Sequence, residues 1–234
     1  MALKRLLLLL LGITGSLAAA GILYISAENA RSVQPQPELS TKPTQTSITL
    51  PVGVPGTALV AQRLSAYDGP FLEDSSDWEV FGIAALLVYN GGSKELQSAR
   101  IELTFPDGVY TFAGDHIPPD SWVMLLEQNR KPYRQDSPIA CAGSQTVSME
   151  NCEMIPQIQI EDTTYGMVVW NSGNEIIKDV CIYYKGWLSS PEIYLGGITY
   201  CTVIPKLQPG QRVQLQPYHY APGYSKVVAI YGRK

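Results

Sequence analysis

The sequence predicts an all-β protein: two tandem β-sandwich domains behind an N-terminal membrane-directed helix and a stalk. Three observations predict it. Gly (20), Pro (17) and Tyr (14) are plentiful while only 16% of the 234 residues are charged, a composition that favours turns and half-buried strands over helices. Short segments alternate apolar and polar residues at period two between turn signals. That arrangement is also written twice, in "NGGSKELQSARIEL" (90–103) and "NSGNEIIKDVCIYY" (171–184).

The first element is the N-terminus. After Met1-Ala2-Leu3-Lys4-Arg5 come 22 residues without a charge, Leu6 to Ala27. As a helix they span about 33 Å, enough to cross a bilayer. Lys4 and Arg5 keep the start of that helix cytoplasmic and send the rest outward. Residues 1–27 therefore read as a signal anchor, or as a signal peptide cleaved near Ala18–Ala20 or Ser26-Ala27. Residues 28–56 follow with five prolines, seven Ser or Thr and no aromatic residue. Such a segment buries too little apolar area to offset its ordering entropy, so it reads as a disordered stalk.

Two domains are expected beyond the stalk, 57–147 and 148–234. In the first, Ala99, Ile101, Leu103 and Phe105 alternate with Arg100, Glu102 and Thr104. In the second, Val180, Ile182 and Tyr184 alternate with Cys181, Tyr183 and Lys185. Each strand thus has one apolar and one polar face. Before each lies an apolar run ending in Asn90 or Asn171, and Asn and Gly are expected to supply the left-handed turn conformations there. The echo continues: "IPPDSWVML" (117–125) aligns with "LQPGQRVQL" (207–215), and "SPIACAG" (137–143) with "KVVAIYG" (226–232). Each copy is long enough for one sandwich of some seven strands.

The run apolar-x-apolar-x-Asn-x-Gly, then an alternating strand, then Leu-x-Pro-Gly-x-x-Val-x-Leu, resembles small bacterial surface domains, the FxLYD and cell-adhesion-related groups. Val169, Asn171, Gly173, Val180, Ile182, Leu207, Pro209, Gly210, Val213 and Leu215 carry the resemblance; the first copy departs from it at Ile117 and Asp120. It implies an immunoglobulin-like fold and an exported, envelope-associated life. It transfers no catalytic residue.

Four cysteines are present, Cys141, Cys152, Cys181 and Cys201, with no C-x-x-C spacing. An even count outside the membrane suggests disulfides. Cys181 and Cys201 are expected on one polar face of neighbouring strands, and Cys141 and Cys152 straddle the join between copies. Those two pairings are the natural ones; the other two connectivities stay open.

The chemistry is mostly exclusion. A net charge of −4 provides no basic field for nucleic acid. Neither G-x-S-x-G, H-E-x-x-H nor a phosphate-cradling Gly-Lys loop occurs, so no catalytic residue, metal or cofactor is expected. His116 and His219 read as exposed turn residues. "EDSSDWE" (73–79) reads as a solvated acidic loop, with an enzyme or cation-dependent module built around Glu73, Asp74, Asp77 and the two histidines as its rival.

The better lead is "PYHYAPGY". It places Tyr218, His219, Tyr220 and Tyr224 on one loop; the first copy offers Arg130 and Tyr133 at the same place, and Trp187 joins if it lies at that end. Rigid aromatic side chains and Arg on sandwich loops provide contact area at low entropic cost. The expected function is non-enzymatic: a membrane-tethered extracytoplasmic protein that binds an envelope protein or glycan. Service as an accessory subunit of a larger envelope complex is the alternative.

Overall fold

The computed structural model describes residues 47–74, 76, 78–148 and 155–234. The N-terminal helix, most of the stalk, Asp77 and Cys152 lie outside them. Among the described residues there is no helix, and so none long and apolar enough to cross a membrane.

The protein is all-β, with thirteen strands. The first half contributes β1 (Val52–Gly53), β2 (Leu59–Pro70), β3 (Glu79–Asn90), β4 (Leu96–Phe105), β5 (Gly108–Ile117), β6 (Ser121–Leu126) and β7 (Cys141–Ser148). The second contributes β8 (Ile158–Thr163), β9 (Gly166–Asn171), β10 (Ile177–Ser189), β11 (Glu192–Leu207), β12 (Arg212–Leu215) and β13 (Ser225–Arg233). β2, β3 and β6 are neighbours in one sheet and β5, β4 and β7 in another; β8, β9 and β12 are joined in the same way, as are β11, β10 and β13. The echo read in the sequence therefore corresponds to a repeated strand order.

Its physical basis differs from the expectation. Neither the Asn nor the Gly two residues on, Gly92 or Gly173, has a positive φ. Instead the buried Asn90 side chain donates to the carbonyls of Lys94 and Ile117 and accepts from Gly92 N–H. The buried Asn171 side chain does the same with Glu175, Leu207 and Gly173. One amide thus satisfies the backbone at the matching turn of each half. The glycines supply room: a Cβ on Gly92 would lie 3.1 Å from Asn90 Oδ1, and one on Gly173 2.9 Å from Gln157 Cγ.

The halves are not separate beads. β6 pairs in parallel with β11, Val123 beside Tyr194 and Met124 beside Leu195, so that a seven-stranded sheet runs β1-β2-β3-β6-β11-β10-β13 through both. The boundary expected at 147/148 falls at the end of β7, and sheet pairing crosses it. The three-stranded sheet β5-β4-β7 encloses the larger core, with Leu86, Val88, Ile101, Phe112 and Leu125. The sheet β12-β9-β8 encloses a second core, with Met167, Val169, Val180, Ile182 and Ile204.

β10 serves both cores. Ile182 points into the second, whereas Tyr183, one residue on, packs against the first. Adjacent strand residues face opposite ways, so the two small sheets cover opposite faces of the long one. The segment 47–56, expected as the end of the stalk, is folded onto this body. Ile48 bridges to Ile139, β1 pairs with β2, and Val54 is buried. Its alternating Ile48, Leu50, Val52 and Val54 carry enough apolar area to dock, which the composition of residues 28–56 as a whole conceals.

Candidate functional site

The joint between the halves is built around two charged side chains that the sequence assigns to solvent. Lys185 is 0% exposed. Its ammonium donates to three successive carbonyls of β11, those of Gly196 (3.4 Å), Gly197 (2.6 Å) and Ile198 (2.9 Å). Period-two alternation places Lys185 on a polar face, but the first half covers that face, and a bulge between Tyr184 and Gly186 interrupts the strand there.

Glu73 corrects the solvated-loop reading. The residue keeps partial exposure, yet its carboxylate is turned inward. It accepts from Leu126 N–H of β6 (2.7 Å) and Gly197 N–H of β11 (2.8 Å), bracing the one parallel strand pair among the described residues. Burial pushes its pKa up to about 7, against those two donors and Lys185, while Asp115 adds to the rise. Burial pushes Lys185 down to about 7, against the attraction of Glu73 and Asp115. Three carbonyl acceptors call for three N–H donors, which only the ammonium has. With no exposure, Lys185 is not available as a nucleophile.

His116 is not an exposed turn residue. Its Nδ1 meets Glu95, and its ring lies 4.3 Å from the Tyr183 ring across the joint. Glu95 also accepts the Tyr231 hydroxyl.

The aromatic loop, residues 216–224, lies between β12 and β13. Asp162 of β8 takes the Tyr220 hydroxyl and Gly223 N–H, and Tyr184 Oη donates to Tyr218 O at 2.6 Å. Burial, with the bond to Asp162, holds the Tyr220 phenol well above its usual range. His219 stacks on Tyr200 with centroids 4.5 Å apart. Two of the candidate residues are thus tied down and two stand out: Tyr218 is 81% exposed and Tyr224 70%. Tyr165, in the β8–β9 turn and missed in the sequence, is 74% exposed.

Arg130 and Tyr133 occupy the matching loop of the first half but do not reach these tyrosines. Arg130 pairs with Asp74 (2.8 Å) and lies 4.5 Å over Phe71, while Tyr133 packs on the larger core. Nearby, Trp78 and Phe81 are exposed. In both halves, then, an acid bonds the loop that follows β6 or β12: Asp74 from the β2–β3 loop in the first, Asp162 from β8 in the second. The two ends approach one another, since Leu72 lines a small cleft with His219 and Tyr224.

Trp187 shares a backbone bond with the aromatic loop, Trp187 N–H to Tyr224 O at 2.7 Å, but its ring lies elsewhere. It lines a groove of about 980 Å³ whose walls come from both halves. Tyr89 and Trp122 form one aromatic pair, Trp187 and Tyr194 another, each with ring centroids 4.7 Å apart. Lys226 sits 3.9 Å over the Trp187 ring. Nothing in the linear sequence joins these residues; the β6–β11 pairing does.

The expected Cys181–Cys201 bridge is not formed, and both thiols are free, as is Cys141. Cys181 lies opposite Val203 and Cys201 opposite Tyr183, so the two are diagonal neighbours on one face. The diagonal Cα separation, about 7–8 Å, exceeds the span of a disulfide. Burial, reinforced by Cys181, pushes the Cys201 thiol up. Among the described residues no group of three or more His, Cys, Asp or Glu side chains is arranged to hold a metal. No protein-family model matches the sequence, and no curated protein matches it either.

Proposed function

We propose that the chain is a membrane-tethered, extracytoplasmic, non-enzymatic protein whose two immunoglobulin-like sandwiches display an aromatic loop end to a protein of the cell envelope. The observation that carries this reading is the exposure of Tyr218 and Tyr224 on a loop that Asp162 and Tyr184 hold in place, with Tyr165 exposed on the β8–β9 turn. Exposed Tyr on a pre-ordered loop is the kind of anchor that dominates protein interfaces, because little side-chain entropy remains to be lost. The uncharged N-terminal run and the resemblance to FxLYD and cell-adhesion-related bacterial domains support the location. The repeated strand order supports duplication of an immunoglobulin-like unit.

The test is co-purification of the tagged full chain from its own membranes in mild detergent, beside a Tyr218→Ala/Tyr224→Ala double variant. The reading expects a saturable partner that the variant loses while its melting temperature stays unchanged. Recovery of the same proteins by both forms, or of none by either, refutes it. A partner at fixed stoichiometry identifies an accessory subunit rather than a solitary tether.

A further inference from the structure

We infer that the groove between the halves is a binding site for a neutral oligosaccharide, distinct from the aromatic loop end. Its volume of about 980 Å³ lies at the upper end of the range for small-ligand sites, which suits a chain of several sugar rings better than a single metabolite. Two aromatic pairs line it, and Lys226 already covers the ring of Trp187, so the Tyr89–Trp122 pair is the more open of the two. The electron-rich face of an aromatic ring attracts the weakly positive C–H face of a pyranose.

The polar lining decides between ligand classes. Gln62 and Arg63 provide donors, and Asp120 and Glu192 provide carboxylate acceptors. A sugar hydroxyl donates and accepts at once, so it satisfies both kinds of group. A proline-rich peptide, the other common occupant of aromatic grooves, offers carbonyl acceptors almost alone and would bring no donor to the Glu192 carboxylate. Arg63 and Lys226 are balanced by Asp120 and Glu192, so no net field favours a polyanionic glycan. Tyr89 donates its hydroxyl to Asp120, which fixes that platform before any ligand arrives. Because Trp122 comes from β6 and Glu192 from β11, the site exists only while those strands are paired.

Calorimetry and tryptophan fluorescence of the full chain would test this with chitotetraose, cellotetraose and maltotetraose, beside decaproline and a heparin tetrasaccharide. At least one neutral tetrasaccharide should bind and perturb the fluorescence. Trp122→Ala should weaken it about tenfold or more. Gln62→Ala and Glu192→Ala, at positions that take no part in the core, should weaken it several-fold without moving the melting temperature. The Tyr218→Ala/Tyr224→Ala variant should bind sugar as the wild type does, which separates this site from the aromatic loop end. The inference is overturned if no neutral tetrasaccharide binds at millimolar concentration, or if only decaproline or heparin binds. It is overturned equally if sugar binding survives Trp122→Ala and Glu192→Ala or is lost with the tyrosines.

Discussion

Removing the Glu73 carboxylate tests whether this side chain holds the two halves together. Its two oxygens accept one backbone N–H each, from Leu126 and from Gly197, where the strand pairing itself consists of two registered residue pairs. In Glu73→Ala both donors lose their acceptor, at about 1–3 kcal/mol each, and Lys185 loses an attractive charge. A total of about 3–5 kcal/mol is expected, or roughly 10 °C in melting temperature for a body of this size.

The pH dependence gives a second readout. Between about pH 5 and 7 the folded state retains the Glu73 proton that the unfolded chain releases, so stability falls as pH rises. Above about 7 the unfolded chain retains the Lys185 proton that burial expels in the folded state, so stability recovers. The wild type should show a shallow minimum near neutrality. Glu73→Gln should flatten its acid limb and Lys185→Met its alkaline limb. Urea unfolding at a series of pH values measures both effects. An alanine variant within about 0.5 kcal/mol of wild type, or a wild-type profile flat from about pH 5 to 9, would refute the reasoning.

Three further outcomes are expected. Asn90→Ala and Asn171→Ala should each cost about 2–4 kcal/mol in chemical denaturation, and to a similar extent, since both amides bridge equivalent carbonyls; Asn→Asp at either site should also destabilise, because the donors are lost. Gly197→Ala should destabilise by more than about 3 kcal/mol in the same assay, because the added Cβ would fall 1.9 Å from the Ala113 carbonyl oxygen. Although Cys201 is exposed, its raised thiol pKa should make it react with a thiol reagent more slowly than Cys141 near pH 8, as followed by mass spectrometry of single-cysteine variants.

The placement of several residues was legible along the chain. The apolar alternation of Ala99, Ile101 and Leu103, and of Val180 and Ile182, places these side chains in the two cores, because a strand's face follows from parity alone. The Asn-x-Gly pair marked the right turns for a reason the sequence did not display: an amide is buried there, and no unusual φ is needed. The aromatic loop was visible as composition, but which tyrosines stand free was not, since Asp162 and Tyr184 decide that from distant strands. The burial of Lys185 and of the Glu73 carboxylate is not legible, because both occupy polar positions in locally sound patterns.

By itself the sequence determined the β character, the repeated run of turns and alternating strands, and the core-facing parity within 99–103 and 180–182, all of which depend on neighbours close in the chain. The tertiary structure alone decided that β6 and β11 join the halves into one sheet. That pairing covers the second copy's outer face, draws Lys185 and the Glu73 carboxylate inside, and assembles Trp122 and Trp187 into a single groove. Polar–apolar parity says which side of a strand is shielded by neighbours close in the chain. It carries no information about a second surface that arrives from a hundred residues away.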